Sequence, residues 1–383
     1  MKKSIFLLFA LFVALSAVAQ EYHAHYQSAT EPQTLLPIGY ARGYRHEIIL
    51  PNVNGYTAYK ADLHIHTTYS DGSVNVKERV NEAWRDGLDI YAATDHMSIR
   101  PVEGKEGQTT PSDVKAKRGA KVAKAVEGAL KLADDYGLLV IPGVELTGNA
   151  LTQGHFNALF TTNNKDLYDY DAMQTIRNAR KQGALIMHNH PGWRHPSLEM
   201  TKFEADVYAE KLIDGIEIMN SASFYPRAID VAKKNKFFVT ATTDIHPTTA
   251  NIFRENGQLR NMTIVFAKEL SLGSVREALE SRRTLAYSFG TLAGDEKLLK
   301  DFFEASIETK KLNENKKKKN QRVMLTNKTS LPFVIRIGKG NPVIINPMSS
   351  VIVGVKLGSK TVDCTVLSMW HGMEQHPEVK LKY

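Results

Sequence analysis

Asp62-Leu63-His64-Ile65-His66, followed by Ser70-Asp71-Gly72, is the stretch on which the reading of this chain turns. It sets two histidines and a carboxylate just past an apolar run. Strand side chains alternate faces, so residues i and i+2 point the same way. Two imidazoles on one face, with an Asp on the next loop, make half of a metal site. The other half has to come from further along. Thr94-Asp95-His96, Gly143-Val144-Glu145, His155, His188-Asn189-His190-Pro191 and Thr243-Asp244-Ile245-His246 all follow short apolar segments, where strands should end.

Working outward, the apolar runs predict strands over Lys60 to Ile65, Ile90 to Ala93, Leu138 to Ile141, His155 to Phe160, Ala184 to Met187, Gly215 to Met219, Phe237 to Ala241 and Met262 to Phe266. Helical patterning predicts Val76 to Asp86, Pro111 to Tyr136, Tyr170 to Gln182, Glu204 to Leu212, Pro226 to Asn235 and Ser271 to Ser281. In the second of these, Thr110 can cap, Pro111 and Asp113 suit the first turn, Val122, Val126, Leu130 and Ala133 form an apolar stripe, and Gly137 stops it. Strands alternating with helices indicate βαβ units and a parallel sheet. No glycine-rich nucleotide motif follows any strand. In a β/α barrel the loops after the strands form the active face, and every candidate ligand falls there.

The flanks read differently. Lys2 and Lys3 precede the apolar run Ile5 to Val18, and Ala17-Val18-Ala19 is a small-x-small site. This predicts a signal peptide over 1–19 cut after Ala19, a bacterial periplasmic or secreted product, and no membrane span afterwards. Residues 20–57 are expected to be an N-terminal lead-in, loosely attached over 20–45, with Arg45 to Leu50 as an edge strand. Residues 58–294 make the barrel. Residues 295–320 read as a helix running into a solvated linker at Lys316 to Lys319. Residues 321–383 read as a small β-rich domain, with runs at Arg322 to Thr326, Phe333 to Ile337, Val343 to Ile345, Ser350 to Val355 and Thr361 to Ser368.

Composition is that of a globular protein, 383 residues with 43% hydrophobic and 23% charged. The single cysteine, Cys364, allows no internal disulfide and is expected to be packed. The net charge of +8 suits anionic substrates, but no nucleic-acid site is signalled. His371 and His376 are lone and read as surface or packing residues.

His64, His66, Asp71, His96, Glu145, His155, His190, Asp244 and His246 recur at one structural position. Ionisable groups there are costly unless paired or metal-bound, so the set argues for a polynuclear centre. Imidazole with carboxylate suits Mn, Zn or Fe. A carboxylate such as Glu145 can bridge two ions, and two close ions can hold a hydroxide and clamp a phosphoryl group. Beside this set, Gly192-Trp193-Arg194-His195 offers an Arg for phosphate and an aromatic face for stacking. Asn220, Ser221 and Tyr225 should face the site, whereas Arg100, Lys105 and Arg254 are weaker candidates.

In order, His64-Ile65-His66 with Asp71, Asp95-His96, Gly143-Val144-Glu145, His155, His190-Pro191 and Asp244-Ile245-His246 resemble the motifs of the PHP (polymerase and histidinol phosphatase) superfamily, over residues 58 to 290. The resemblance implies a distorted (β/α)7 barrel holding two or three divalent ions and hydrolysing phosphoesters. It implies one ion on His64, His66, Glu145 and Asp244, a second on Glu145, His155 and His190, and a third on Asp71, His96 and His246. Asp95 would orient an imidazole from behind. His188 would either stand behind the ligands or compete with His190, because i and i+2 share a face. Catalytic roles fall to Asp244, His190 and Arg194, with Trp193 and Arg194 contacting substrate. The expected substrate is a phosphodiester or small organophosphate. The alternatives are a monoester of the histidinol-phosphate type, amide or ester hydrolysis on the same scaffold, or metal binding without catalysis at a surface contact module.

Overall fold

Short apolar runs become strands of one curled sheet, and the polar residues after them gather at its rim. The computed structural model describes residues 44–100, 111–195, 197–253, 257–317 and 319–383. The expected signal peptide, Lys105, Arg254 and the Thr110 cap lie outside the described residues, as do the Pro111 and Asp113 side chains.

In chain order the barrel strands are β1 (Thr57–Asp62), β2 (Ile90–Ala93), β3 (His96–Ser98), β4 (Leu139–Thr147), β5 (His155–Leu159), β6 (Leu185–His188), β7 (Gly215–Asn220), β8 (Ser223–Phe224), β9 (Phe238–Thr242), β10 (Met262–Ala267), β11 (Thr284–Ser288) and β12 (Thr291–Gly294). The helices are α1 (Val76–Arg85), α2 (Pro111–Ala133), α3 (Ala172–Lys181), α4 (Lys202–Ala209), α5 (Pro226–Asn235), α6 (Thr249–Ile252), α7 (Leu272–Glu280) and α8 (Glu296–Ser306). Neighbours run β12-β11-β10-β1-β2-β4-β5-β6-β7, with β9 also on β7.

The parallel expectation holds for β1-β2-β4 and for β6-β7-β9. It fails at β5, which is antiparallel to both neighbours, and at β10 and β11, which run antiparallel beyond β1. At β4–β5 the link is too short for a crossover helix, so antiparallel pairing follows, whereas β5–β6 and β10–β11 pair antiparallel across connections that carry α3 and α7. No backbone ladder joins β9 to β10 or β11 among the described residues. Threonine hydroxyls hold that seam. Val239 N donates to Thr284 Oγ1 at 3.2 Å, and Ala241 N donates to Thr263 Oγ1 at 3.1 Å. The arrangement is a curled half-barrel, not a ring of seven βα units.

Two flanking expectations need correction. Arg45 to Leu50 forms no strand. Ile48 and Val53 are buried, Ser330 N donates to the Ile49 carbonyl, and Ile49 N donates to Ser330 Oγ. Nor is 307–320 a linker. β13 (Ile307–Asn315) forms an antiparallel hairpin with β14 (Asn320–Asn327), and the lysine run caps its tip. Most of β13 is exposed on both faces, so it carries no alternating apolar signal. Charged residues on such a tip discourage edge-to-edge pairing. β15 (Phe333–Ile337), β16 (Val343–Ile345), β17 (Ser350–Lys356), β18 (Thr361–Val366) and β20 (Glu378–Lys382) complete two small sheets, while β19 (Met369–Trp370) joins the barrel sheet beside β12. Phe302, Phe333 and Val366 share one apolar cluster with Val80, Tyr91 and Phe266. The C-terminal strands are thus continuous with the barrel core. Cys364 is buried there, and burial pushes its thiol up to about 12. Among the described residues no helix is long and apolar enough to cross a membrane.

Candidate metal centre

The extended backbone after β1 carries His64 and His66 inward, with ring centroids 5.0 Å apart. Threonines from the two Thr-Asp motifs brace this segment. Thr94 Oγ1 accepts from Ile65 N at 2.8 Å, and the Thr243 hydroxyl donates to Asp62. Asp71 sits where Gly72 lets the loop lie against the chain, because a Cβ there would meet the His66 carbonyl at 2.9 Å. Asp244 arrives on a left-handed residue, φ 52°, held by its N–H to the His64 carbonyl at 2.9 Å. Such backbone is uncommon outside glycine and concentrates at functional sites.

All nine predicted ligands converge. Eight of them form three overlapping groups that can each hold an ion: His64, His66 and Glu145; Glu145, His155 and His190; and His66, Asp71, His96 and His246. Asp244 Oδ1 lies 2.8 Å from His66 Nε2 and 3.3 Å from His64 Nε2. Asp71 Oδ1 lies 3.3 Å from His96 Nε2 and 3.1 Å from His246 Nε2. Glu145 is wholly buried and stands within 3.0 Å of His155 Nδ1, against His96, and 3.5 Å from His64 Nε2. Both His155 nitrogens, His64 Nε2 and Glu145 Oε2 are buried without hydrogen-bond partners. Orphaned lone pairs facing one another fit a divalent cation.

The electrostatics agree. Burial alone would lower the His64 imidazole, but Asp244, Glu217 and Glu145 hold it well above its ordinary value. His190 and His96 are raised in the same way, against burial, by Glu145 and its neighbours. Burial works against the Glu145 and Asp244 carboxylates too, yet the surrounding histidines keep both well below the usual range. The raised imidazoles of His64, His96 and His190 keep their protons to higher pH than a free imidazole, and an ion would compete with those protons. Binding should therefore release protons, and affinity should rise with pH through the imidazole range until the raised histidines have lost theirs. Calorimetric titration of Mn²⁺ in buffers of differing ionisation enthalpy measures that release; a buffer-independent heat would contradict it.

Four expectations change. His188 does not reach the centre, because His190 adopts φ 28° and breaks the strand alternation. His188 instead turns to Tyr208 Oη at 2.9 Å and Glu204 Oε1 at 3.1 Å. Asp95 orients no imidazole directly. It accepts from Thr67 N at 2.8 Å and Ser70 Oγ at 2.6 Å, fixing the turn, and only Ser70 approaches His66. Arg194 is exposed and packs over the Trp193 ring at 5.0 Å, outside the cleft lining. His66 joins the cluster of Asp71, His96 and His246. Trp193 does line the cleft, tilted against His155 and edge-on to His190. Asn220, Ser221, Tyr225 and Arg100 line it too, with Lys121 unanticipated, around about 780 Å³.

Glu217 was missed. Buried on β7, its Oε1 accepts from His64 Nδ1 at 2.7 Å and Thr242 Oγ1 at 2.7 Å. Its Oε2 accepts from His190 N at 2.6 Å and Asn220 Nδ2 at 2.9 Å. The available signal was a charge inside the apolar run Gly215-Ile216-Glu217-Ile218-Met219.

Residues 62–216 match the PHP domain. The chain is similar, at 28% identity and a TM-score of 0.76, to a two-domain protein from Bacteroides vulgatus containing a predicted PHP-like metal-dependent phosphoesterase, across 90% of this chain and all of that one. It is also 26% identical over 174 residues to an uncharacterized protein of Methanocaldococcus jannaschii, covering 42% of this chain and 82% of the relative. These likenesses support the PHP superfamily, and with the His/Glu/Asp clusters they fit divalent metal binding and phosphoester hydrolysis.

Proposed function

We propose that this protein is a metal-dependent phosphoesterase that cleaves a phosphodiester or another small organophosphate. The observation that carries the reading is the overlap of three ion-capable clusters, through Glu145 and His66, at the floor of one open cleft. The similar Bacteroides vulgatus protein, with its PHP-like phosphoesterase, supports the reaction class.

His64, His66, Glu145 and Asp244 would hold one ion, Glu145, His155 and His190 a second, and Asp71, His96 and His246, with His66, a third. Mn, Zn and Fe all accept this donor set. When bound, such ions supply an activated water and neutralise charge on the phosphoryl group. The chain's own residues do the rest. Glu217 fixes the His64 tautomer by accepting from Nδ1, which leaves Nε2 free for the cleft. Trp193 and Tyr225 offer apolar walls to the alcohol portions of a substrate, and Arg100 and Lys121 place positive charge at the cleft wall. A cleft of this size takes more than a lone phosphate, so an organic group of the substrate has room beside the phosphoryl group. The basic, apolar character of residues 1–19 supports export as part of the same proposal.

Protein reconstituted with Mn²⁺ or Zn²⁺ should hydrolyse bis(p-nitrophenyl) phosphate faster than p-nitrophenyl phosphate, and Asp244→Asn should lose that activity. Preference for the monoester would make it a phosphatase. Bound metal with neither ester cleaved would favour amide hydrolysis or a non-catalytic role.

A further inference from the structure

The segments 64–66 and 244–246 supply four of the nine candidate ligands from opposite ends of the barrel sequence. They meet as a minimal parallel bridge. His66 N donates to the Ile245 carbonyl at 3.2 Å, and Asp244 N donates to the His64 carbonyl at 2.9 Å. Beyond that bridge the chains part, at the turn starting with Thr67 and at Pro247. The carbonyls of His66 and His246 then face no strand, and buried carbonyls require a donor.

Arg79 supplies it. This residue lies on the inner stripe of α1 with Val76, Val80 and Ala83, and is itself wholly buried. Its Nε donates to the His66 carbonyl at 3.0 Å, and its Nη2 donates to the His246 carbonyl at 3.0 Å and toward the Ile245 carbonyl at 3.4 Å. Its Nη1 donates to Glu82 Oε2 at 2.6 Å, and Glu82 Oε1 accepts from Thr249 N at 3.0 Å. One planar fork therefore grips both ligand segments, and its counterion pins the chain that follows. In front of the fork the His66 and His246 rings stack 4.3 Å apart.

We propose that Arg79 is the positioning residue that fixes the spacing of His66 against His246, and through it the affinity for the ion shared by His66, Asp71, His96 and His246. This rests on the metal-centre reading above. The rigid fork is the essential property. A lysine keeps the charge but is a point donor on a flexible stem, so it can satisfy a carbonyl without setting the distance between two.

The test uses the full chain, with Co²⁺ as probe. Equilibrium binding and Co²⁺ absorption bands are followed for wild type, Arg79→Lys and Ser73→Ala, with folding checked by circular dichroism. Ser73 Oγ donates to the same His246 carbonyl at 3.2 Å from the exposed side, so its alanine variant should fold normally. Arg79→Lys should weaken one ion by ~10-fold or more, as loss of an outer partner of a ligand does, while the other ions change by less than about threefold on the same scale. Ser73→Ala should weaken that same ion by a smaller factor. Uniform loss across all ions, or none, in folded Arg79→Lys overturns the proposal. If Arg79→Lys does not fold, Glu82→Gln, which removes the carboxylate that holds the fork, takes its place, and unchanged Co²⁺ affinity in that folded variant overturns the proposal. Wild type that takes up no Co²⁺ instead defeats the metal-centre reading itself.

Discussion

Replacing Glu145 with Gln should reduce hydrolysis of bis(p-nitrophenyl) phosphate by ~10³-fold or more, because metal ions supply several kcal/mol of transition-state stabilisation and each 1.36 kcal/mol is tenfold. Glu145 belongs to two of the three ion-capable groups. It is also the group against which His96 and His155 set their nitrogens. An amide of the same shape keeps one weak acceptor oxygen and brings an NH₂ toward imidazole nitrogens and a cation. Metal analysis should show loss from both groups together, with the cluster around Asp71 affected less. His188→Asn is the matched control, since His188 turns away to Tyr208 and Glu204, and it should retain metal. A Glu145→Gln protein that keeps its full metal content and its rate would remove Glu145 from the centre.

The second large effect concerns Glu217→Gln, at a residue that touches no candidate ion directly. The carboxylate accepts four hydrogen bonds, from His64, Thr242, His190 N and Asn220. Glutamine has one acceptor oxygen, so its NH₂ must face a donor on one side or the other. Two outcomes should appear together. Metal affinity should fall by about 10–100-fold, the range for an outer partner that sets ligand tautomer and ring orientation. Stability should fall by about 3–5 kcal/mol, as when one member of a buried, paired constellation is removed. Denaturant titration of the metal-free protein separates the second from the first. A variant with wild-type metal affinity would show that the His64 tautomer is set elsewhere, even if stability had dropped.

Much of the site was legible because strand ends leave a strong trace. An apolar run stopping at His, Asp or Glu is readable one segment at a time, and all nine candidate ligands were picked out this way. The i, i+2 rule located His64 and His66 because the backbone stays extended between them. It misplaced His188 because His190 turns at φ 28°, which no local pattern reveals. Arg194 looked suited to phosphate by its neighbours, yet its guanidinium settled on Trp193. Arg79 sits at core spacing on α1, where a charge reads as an irregularity until the carbonyls of His66 and His246 are brought to it.

By itself, the amino-acid order determined the alternation of strands and helices, the gathering of ligands after strands, and the donor chemistry that suits a divalent ion. These depend on local periodicity and on side-chain type. Only the tertiary structure decided where β5, β10 and β11 reverse direction, that β13 pairs where a linker was expected, and that the β9 seam is held by threonine hydroxyls. It alone assigned Glu217 and Arg79 their partners. Glu217 meets His64 across 153 residues and Arg79 meets His246 across 167. A buried charge takes its role from whatever the fold carries within hydrogen-bonding distance of it, and that distance is a property of the curled sheet.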